Sequence, residues 1–214
     1  MLFNKKFDLI FSIGEACSCT ESLRRCSLQF ASYPFDWVYG ADIISRVKIL
    51  VNDYNEFIDF DDLEDTHTNN GLKKNCCEIY RNKRNGIVFN HDFPYGKPIE
   101  DTYDDVKAKY KRRIDRLISR IENSSRVLAV YIQTPNSKDE LDSETLENAQ
   151  KILQDRFPNQ EITLLYLYCK HKDENYNINE ILDNIIKVSF DYDKYIVDVP
   201  YAVNKNKLQV DLRF

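Results

Sequence analysis

Apolar residues recur along this chain in two rhythms. Three short, nearly continuous runs, at 7–13, 126–133 and 161–169, have the length and the aromatic or β-branched content of buried strands. Between them lie stretches with apolar positions three and four residues apart. Ile43, Ile44, Val47, Leu50 and Val51 form one such stripe, and Tyr103, Val106, Tyr110, Ile114, Leu117 and Ile121 form a longer one. Each predicts an amphipathic helix, the second over 102–121. Ser18 and Glu21 stand at capping-box spacing, which predicts a helix over 18–28 with Cys17 just ahead of it; Ser137 and Glu140 do the same for a helix ending at Phe157, before Pro158. Pro34 biases Tyr33 towards extended backbone, so 32–37 reads as a turn. The acidic, polar segment 53–75 reads as a surface excursion. Asn85-Gly86 is a turn signal between 77–80 and 86–89, which predicts a hairpin ending at 90–92. A short helix near 178–185 and strands around 195–199 and 208–212 complete the reading.

Strands alternating with helices imply βαβ units. The expected architecture is a single α/β domain over 1–214, a three-layer α/β/α sandwich with a mainly parallel sheet plus a β-hairpin excursion. The chain of 214 residues, 43% hydrophobic with only 5 glycines and 6 prolines, is long enough for one substantial core. Its formal charge of −5 argues against a nucleic-acid partner, and no run nears the roughly 18 apolar residues of a membrane span. Six cysteines in a chain this long do not make a disulfide scaffold, and Met1–Lys6 carries no signal-peptide pattern. Both predict a cytoplasmic protein with reduced thiols. Gly14-Glu15-Ala16-Cys17 matches neither the dinucleotide nor the Walker fingerprint, so no cofactor is expected.

Candidate chemistry centres on Cys17. It sits where a strand meets glycine and a helix start, where a helix N-terminus favours thiolate. Cys19, Leu23 and Cys26 share one helical face and read as core, while Cys76 and Cys77 read as structural thiols. His91, flanked by Asn90 and Asp92, is a candidate base for a thiol nucleophile; a surface or capping role is the alternative. His171, at the end of a later strand, is the second candidate base. A zinc site built from Cys17, Cys19, Cys169 and His171 is disfavoured, because its ligand spacings are too short. No metal is expected. His67 reads as solvated. Arg112 and Arg116, one turn apart, form either a solvated face or a clamp for a carboxylate or phosphate. Asp36 could cap the next segment or orient a histidine, and Trp37 reads as packing or as a contact residue.

Four motifs recur together in order: Phe11-Ser12-Ile13-Gly14-x-x-Cys17, Ser32-Tyr33-Pro34-Phe35-Asp36-Trp37, Phe89-x-His91-Asp92-Phe93 and Lys109-Tyr110-x-Arg112-Arg113-x-x-Arg116-Leu117. Together they resemble a bacterial family of unknown function labelled "putative papain-like cysteine peptidase". The resemblance implies Cys17 as nucleophile, His91 as base, Asp36 or Asp92 as its polar partner, and Arg112, Arg113 and Arg116 as further motif positions. Papain-like folds carry the cysteine on a helix against an antiparallel sheet, whereas this chain reads as strand, cysteine, helix. Similar proteins stand beside surface-glycan enzymes, which widens the substrate class to small-molecule, peptide or glycan-related compounds. The expected function is a cysteine-dependent hydrolase or acyl transferase, with Arg112, Arg113, Arg116 and Trp37 contacting substrate. Two readings compete with it. One is a transferase or binding protein for a sugar, nucleotide or phosphorylated ligand, with Cys17 structural. The other is a non-enzymatic interaction module with Trp37 in its contact surface.

Overall fold

The structure, a computed structural model, describes residues 6–66, 77–133, 139–169, 177–182, 184–190, 195–196 and 199–200. In chain order the elements are β1 (Leu9–Ser12), α1 (Cys17–Arg25), β2 (Val38–Tyr39), α2 (Ile43–Val51), β3 (Leu63–Asp65), β4 (Cys77–Asn82) and β5 (Val88–Pro94). Then follow α3 (Tyr103–Glu122), β6 (Arg126–Ile132), α4 (Ser143–Arg156), β7 (Glu161–Cys169), β8 (Asn177–Leu182), β9 (Ile185–Phe190), β10 (Tyr195–Ile196) and β11 (Val199–Pro200).

Two sheets carry most of the fold. The larger has the order β1-β6-β7-β9-β8, with β1, β6, β7 and β9 mutually parallel and β8 antiparallel at the edge. The smaller is antiparallel, in the order β2-β5-β4-β3. Strand periodicity divides the larger sheet cleanly. Leu9, Phe11, Val127, Ala129, Ile162, Leu164 and Tyr166 join α2, α3, α4 and the smaller sheet in one core. Leu128, Val130, Ile132, Leu165 and Leu167 face the other way and meet Cys19 and Leu23 of α1. Both faces are therefore buried, as continuous apolar strands require. The mixed α/β expectation agrees with this arrangement. A full antiparallel sheet stands where the sandwich reading allowed only a hairpin, because β2 and β3 flank the β4–β5 pair.

Three local expectations need correction. The segment 178–185 forms strands β8 and β9 and not a helix. Its isoleucines at 178, 181 and 185 imitate helical spacing, but β7 offers an open edge, and Ile185 and Ile186 on β9 point into opposite cores. Helix α1 begins at Cys17, not after it, with Ala16 as N-cap and no side-chain cap. Backbone pairing with β6 continues to Glu15, whose N–H donates to Ile132 O at 3.4 Å, so one extended residue remains before the helix turns. Helix α4 begins at Ser143, capped by Asp142, whose carboxylate accepts from Thr145 N at 2.7 Å; the capping box at Ser137 lies outside the described residues. So does the strand expected over 208–212.

Candidate active site

The C-terminal ends of parallel strands are where open α/β sheets gather their chemistry. Here the end of β1 runs through Ile13, which donates to Val130 O at 2.9 Å, into the turn 14–16 and directly into α1. Gly14 has a steric reason to be glycine: a Cβ there would lie 2.3 Å from Cys19 Cβ and 2.8 Å from Cys19 Sγ. The turn can press against the helix only without a side chain.

The two cysteines of this turn have opposite environments. Cys17 is the first residue of α1 and is half-buried, at the positive end of the helix dipole. Cys19 is 0% exposed and donates its thiol to Val130 O at 3.3 Å. Burial pushes the Cys19 thiol up to about 11. Cys26 is also buried and Cys77 half-buried, and neither is bridged by a disulfide.

Arg46 holds the turn from beneath. It is 0% exposed, on α2, and its guanidinium lies 5.2 Å from the Phe35 ring centroid. Nε and Nη2 both donate to Gly40 O, at 3.0 and 2.7 Å, and Nη2 also donates to Glu15 O at 3.1 Å. One side chain thus ties the Cys17 turn to the turn at Gly40 and Ala41, where both residues have positive φ. Burial lowers the Arg46 pKa to about 10, while the neighbouring Tyr131 and Glu15 act in the opposite sense. Sequence reasoning passed over Arg46. The signal was present: it shares the stripe of Ile43, Val47 and Leu50, a lone cation on an apolar face.

Asp36 is fully buried and organises the same region. Its carboxylate accepts from Thr20 Oγ1 at 2.8 Å, Gln29 Nε2 at 2.7 Å and Tyr33 N at 2.7 Å. Gln29 Oε1 in turn accepts from Ser12 N at 3.3 Å. Burial raises the Asp36 pKa against these bonds. Trp37, half-buried, lies beneath Arg24, whose Cζ is 5.5 Å from the indole centroid.

His91 stands on β5 of the antiparallel sheet, exposed, beside the irregularity that separates Glu78 from Tyr80 in the β4 register. Among the described residues no hydrogen bond joins it to Cys17, Asp36 or Asp92. Asp92 is buried and accepts from Lys109 Nζ at 2.5 Å and Tyr110 Oη at 2.8 Å, which fastens β5 to α3. Arg113 stacks on Tyr110 at 5.3 Å, Arg116 donates to Ser32 O at 2.9 Å, and Arg112 points to solvent. His67 and His171 lie outside the described residues.

Residues 8–172 match the family described as "Putative papain-like cysteine peptidase (DUF1796)". An uncharacterized protein of Acanthamoeba polyphaga mimivirus is 27% identical over 205 residues, covering 87% of this chain and 90% of that protein. That relative is viral, so the kinship reaches beyond the bacterial family expected from the motifs. No solved structure matches. No helix among the described residues is long and apolar enough to cross a membrane. With the matched span covering β1 to the end of β7, the chain belongs to the family described as "Putative papain-like cysteine peptidase (DUF1796)".

Proposed function

We propose that this protein is a cysteine-dependent hydrolase or acyl transferase acting on a peptide or peptide-like carbonyl, with Cys17 as nucleophile. The observation that carries the reading is the placement of Cys17: half-exposed, first in α1, at the C-terminal end of a parallel strand. A helix N-terminus stabilises thiolate, and thiolate is the reactive form. The thiolate attacks the carbonyl carbon, and the leaving group departs with a proton delivered by the conjugate acid of the base. The resulting thioester is then released by water or by a second nucleophile. His91 and His171 are the two imidazoles assigned to proton transfer, and single alanine variants separate them. Asp36 and Asp92 are assigned to holding the scaffold, because their oxygens are engaged by Thr20, Gln29, Tyr33, Lys109 and Tyr110. The family description supports the peptidase class.

The test is the pH dependence of iodoacetamide alkylation at each cysteine of the native protein, read by mass spectrometry. Cys17 is expected to react fastest, with a midpoint below the ordinary thiol value near 8.5. Cys19 should stay unmodified until strongly alkaline pH, given its thiol near 11. Either His91→Ala or His171→Ala should return Cys17 to ordinary behaviour, and Cys17→Ser should abolish hydrolysis of an activated ester. If Cys17 alkylates as an ordinary thiol and Cys17→Ser leaves activity intact, the cysteine chemistry is wrong. The competing assignment, a ligand-binding protein with Cys17 as packing, then takes its place.

A further inference from the structure

The opposite end of the β1–α1 unit carries a second set of groups. Arg24 lies in the last turn of α1, seven residues from Cys17, or about 10 Å along the helix. Its Nη2 donates to Ser32 Oγ at 2.8 Å. From α3, Arg116 Nη1 donates to Ser32 O at 2.9 Å and Arg120 Nη1 to Tyr33 Oη at 3.0 Å. Three guanidinium groups therefore meet on two adjacent residues. Each is fixed by a neutral acceptor, which leaves other N–H groups of its fork unassigned.

The charge at this place is not balanced. Among the described residues Arg112, Arg116 and Arg120, spaced one turn apart on α3, form no ion pair. Arg24 has an ion pair with Asp36 at 4.0 Å, but that carboxylate is buried and already accepts three hydrogen bonds. Asp8 turns its carboxylate to the Ser125 and Arg126 amides, both at 2.9 Å. Like charges one helical turn apart repel. On a chain of net charge −5 this concentration of cations is a local exception.

A groove opens beside it. Its volume is about 360 Å³, within the range that holds a small ligand. Lys6 and Arg120 supply cations to its wall, Asp8 a carboxylate that is already held by the Ser125 and Arg126 amides, and Phe7, Leu28, Phe30 and Tyr33 apolar and aromatic surface. Phe30 is 83% exposed, an uncommon place for so large an apolar side chain. It shares the groove with Leu9 and Ile10 of β1, the terminal strand of its sheet among the described residues.

We infer that this groove is a binding site for a small molecule with an oxyanion head, phosphate or carboxylate, and an apolar body. The head group lies against Arg120, the one guanidinium that lines the groove, with Lys6 as the second cation of its wall. The body lies against Phe30 and Leu28. The site is separate from Cys17 and does not depend on the reaction proposed there.

Binding is read by calorimetry on the full chain with three probes: inorganic phosphate, phenyl phosphate and phenylacetate. Phenyl phosphate or phenylacetate should bind more tightly than inorganic phosphate, and whichever is tighter names the head group. Arg120→Gln should weaken that binding about tenfold, the loss expected for one charge-assisted hydrogen bond. Arg120→Lys should fall between wild type and Arg120→Gln. Cys17→Ser should bind as wild type, and added salt should weaken binding throughout. Unchanged thermal melting of the exposed Arg120 variants keeps loss of binding distinct from loss of fold. The inference is overturned if no probe binds at millimolar concentration, if the arginine variants bind undiminished, or if Cys17→Ser removes binding.

Discussion

At the scale of single residues, the Cys17 turn depends on what is missing at Gly14. Gly14→Ala drives a Cβ into Cys19 Cβ, and the backbone of β1 and the first turn of α1 must part. Overpacking of this kind typically costs about 1–3 kcal/mol. Urea titration should show a loss in that range, with a slower Cys17 alkylation because the helix start is displaced. A variant as stable as wild type would mean that the turn relaxes freely. Helical spacing alone separated the buried Cys19 from the half-buried Cys17, since Cys19, Leu23 and Cys26 share a face that Cys17 does not. Arg46 was not readable in the same way. An arginine is ordinarily taken as surface, and nothing local announces that the carbonyls of Glu15 and Gly40 converge on it. Asp36 had the same difficulty. Its motif marked it as special, but its partners Thr20 and Gln29 come from both sides of a turn whose closure no spacing rule gives.

At the scale of elements, the long periodic helix α3 and the buried strands β6 and β7 follow from pattern, because burial on one or both faces leaves an unambiguous period. The failures lie at ends and edges. Strands β8 and β9 were misread because three- and four-residue isoleucine spacing fits a helix until the open edge of β7 is known. The contact between β5 and α3 carries a prediction of its own. Asp92 joins Lys109 and Tyr110 there, so Asp92→Asn should remove a charge-assisted bond and strand a half-buried ammonium. The expected cost is about 2–3 kcal/mol, measured by thermal or denaturant unfolding. If the protein hydrolyses esters as proposed, the rate per folded molecule should be nearly unchanged. Abolished turnover at wild-type stability would instead make Asp92 the partner of a catalytic histidine, as its motif position suggests.

At the scale of the whole molecule, one core links the two sheets. Phe57, Phe89 and Tyr110 stack edge-to-face, at 5.1–5.6 Å between centroids, and belong to the same buried cluster as Phe11, Ala129 and Tyr166. The antiparallel sheet and the parallel sheet should therefore unfold together. Near-ultraviolet dichroism, dominated by these aromatics, and far-ultraviolet dichroism should give coincident denaturant transitions. Two separated transitions would show that the smaller sheet is an independent unit. The sequence carried the α/β class but not the partition into two sheets, since β2 and β3 are only 2 and 3 residues long and leave almost no pattern.

The pairing of β1 has one more consequence, felt during synthesis. Leu9 pairs with Val127, so β1 emerges from the ribosome roughly 120 residues before β6, its one neighbour in the sheet among the described residues. At about 5–20 residues per second, that is a wait on the order of ten seconds for an apolar strand with nothing to pair with. The nascent chain must protect Leu9 and Phe11 through that interval. The newborn protein is thus most exposed to aggregation, and most in need of a chaperone, at the same strand that later presents Cys17.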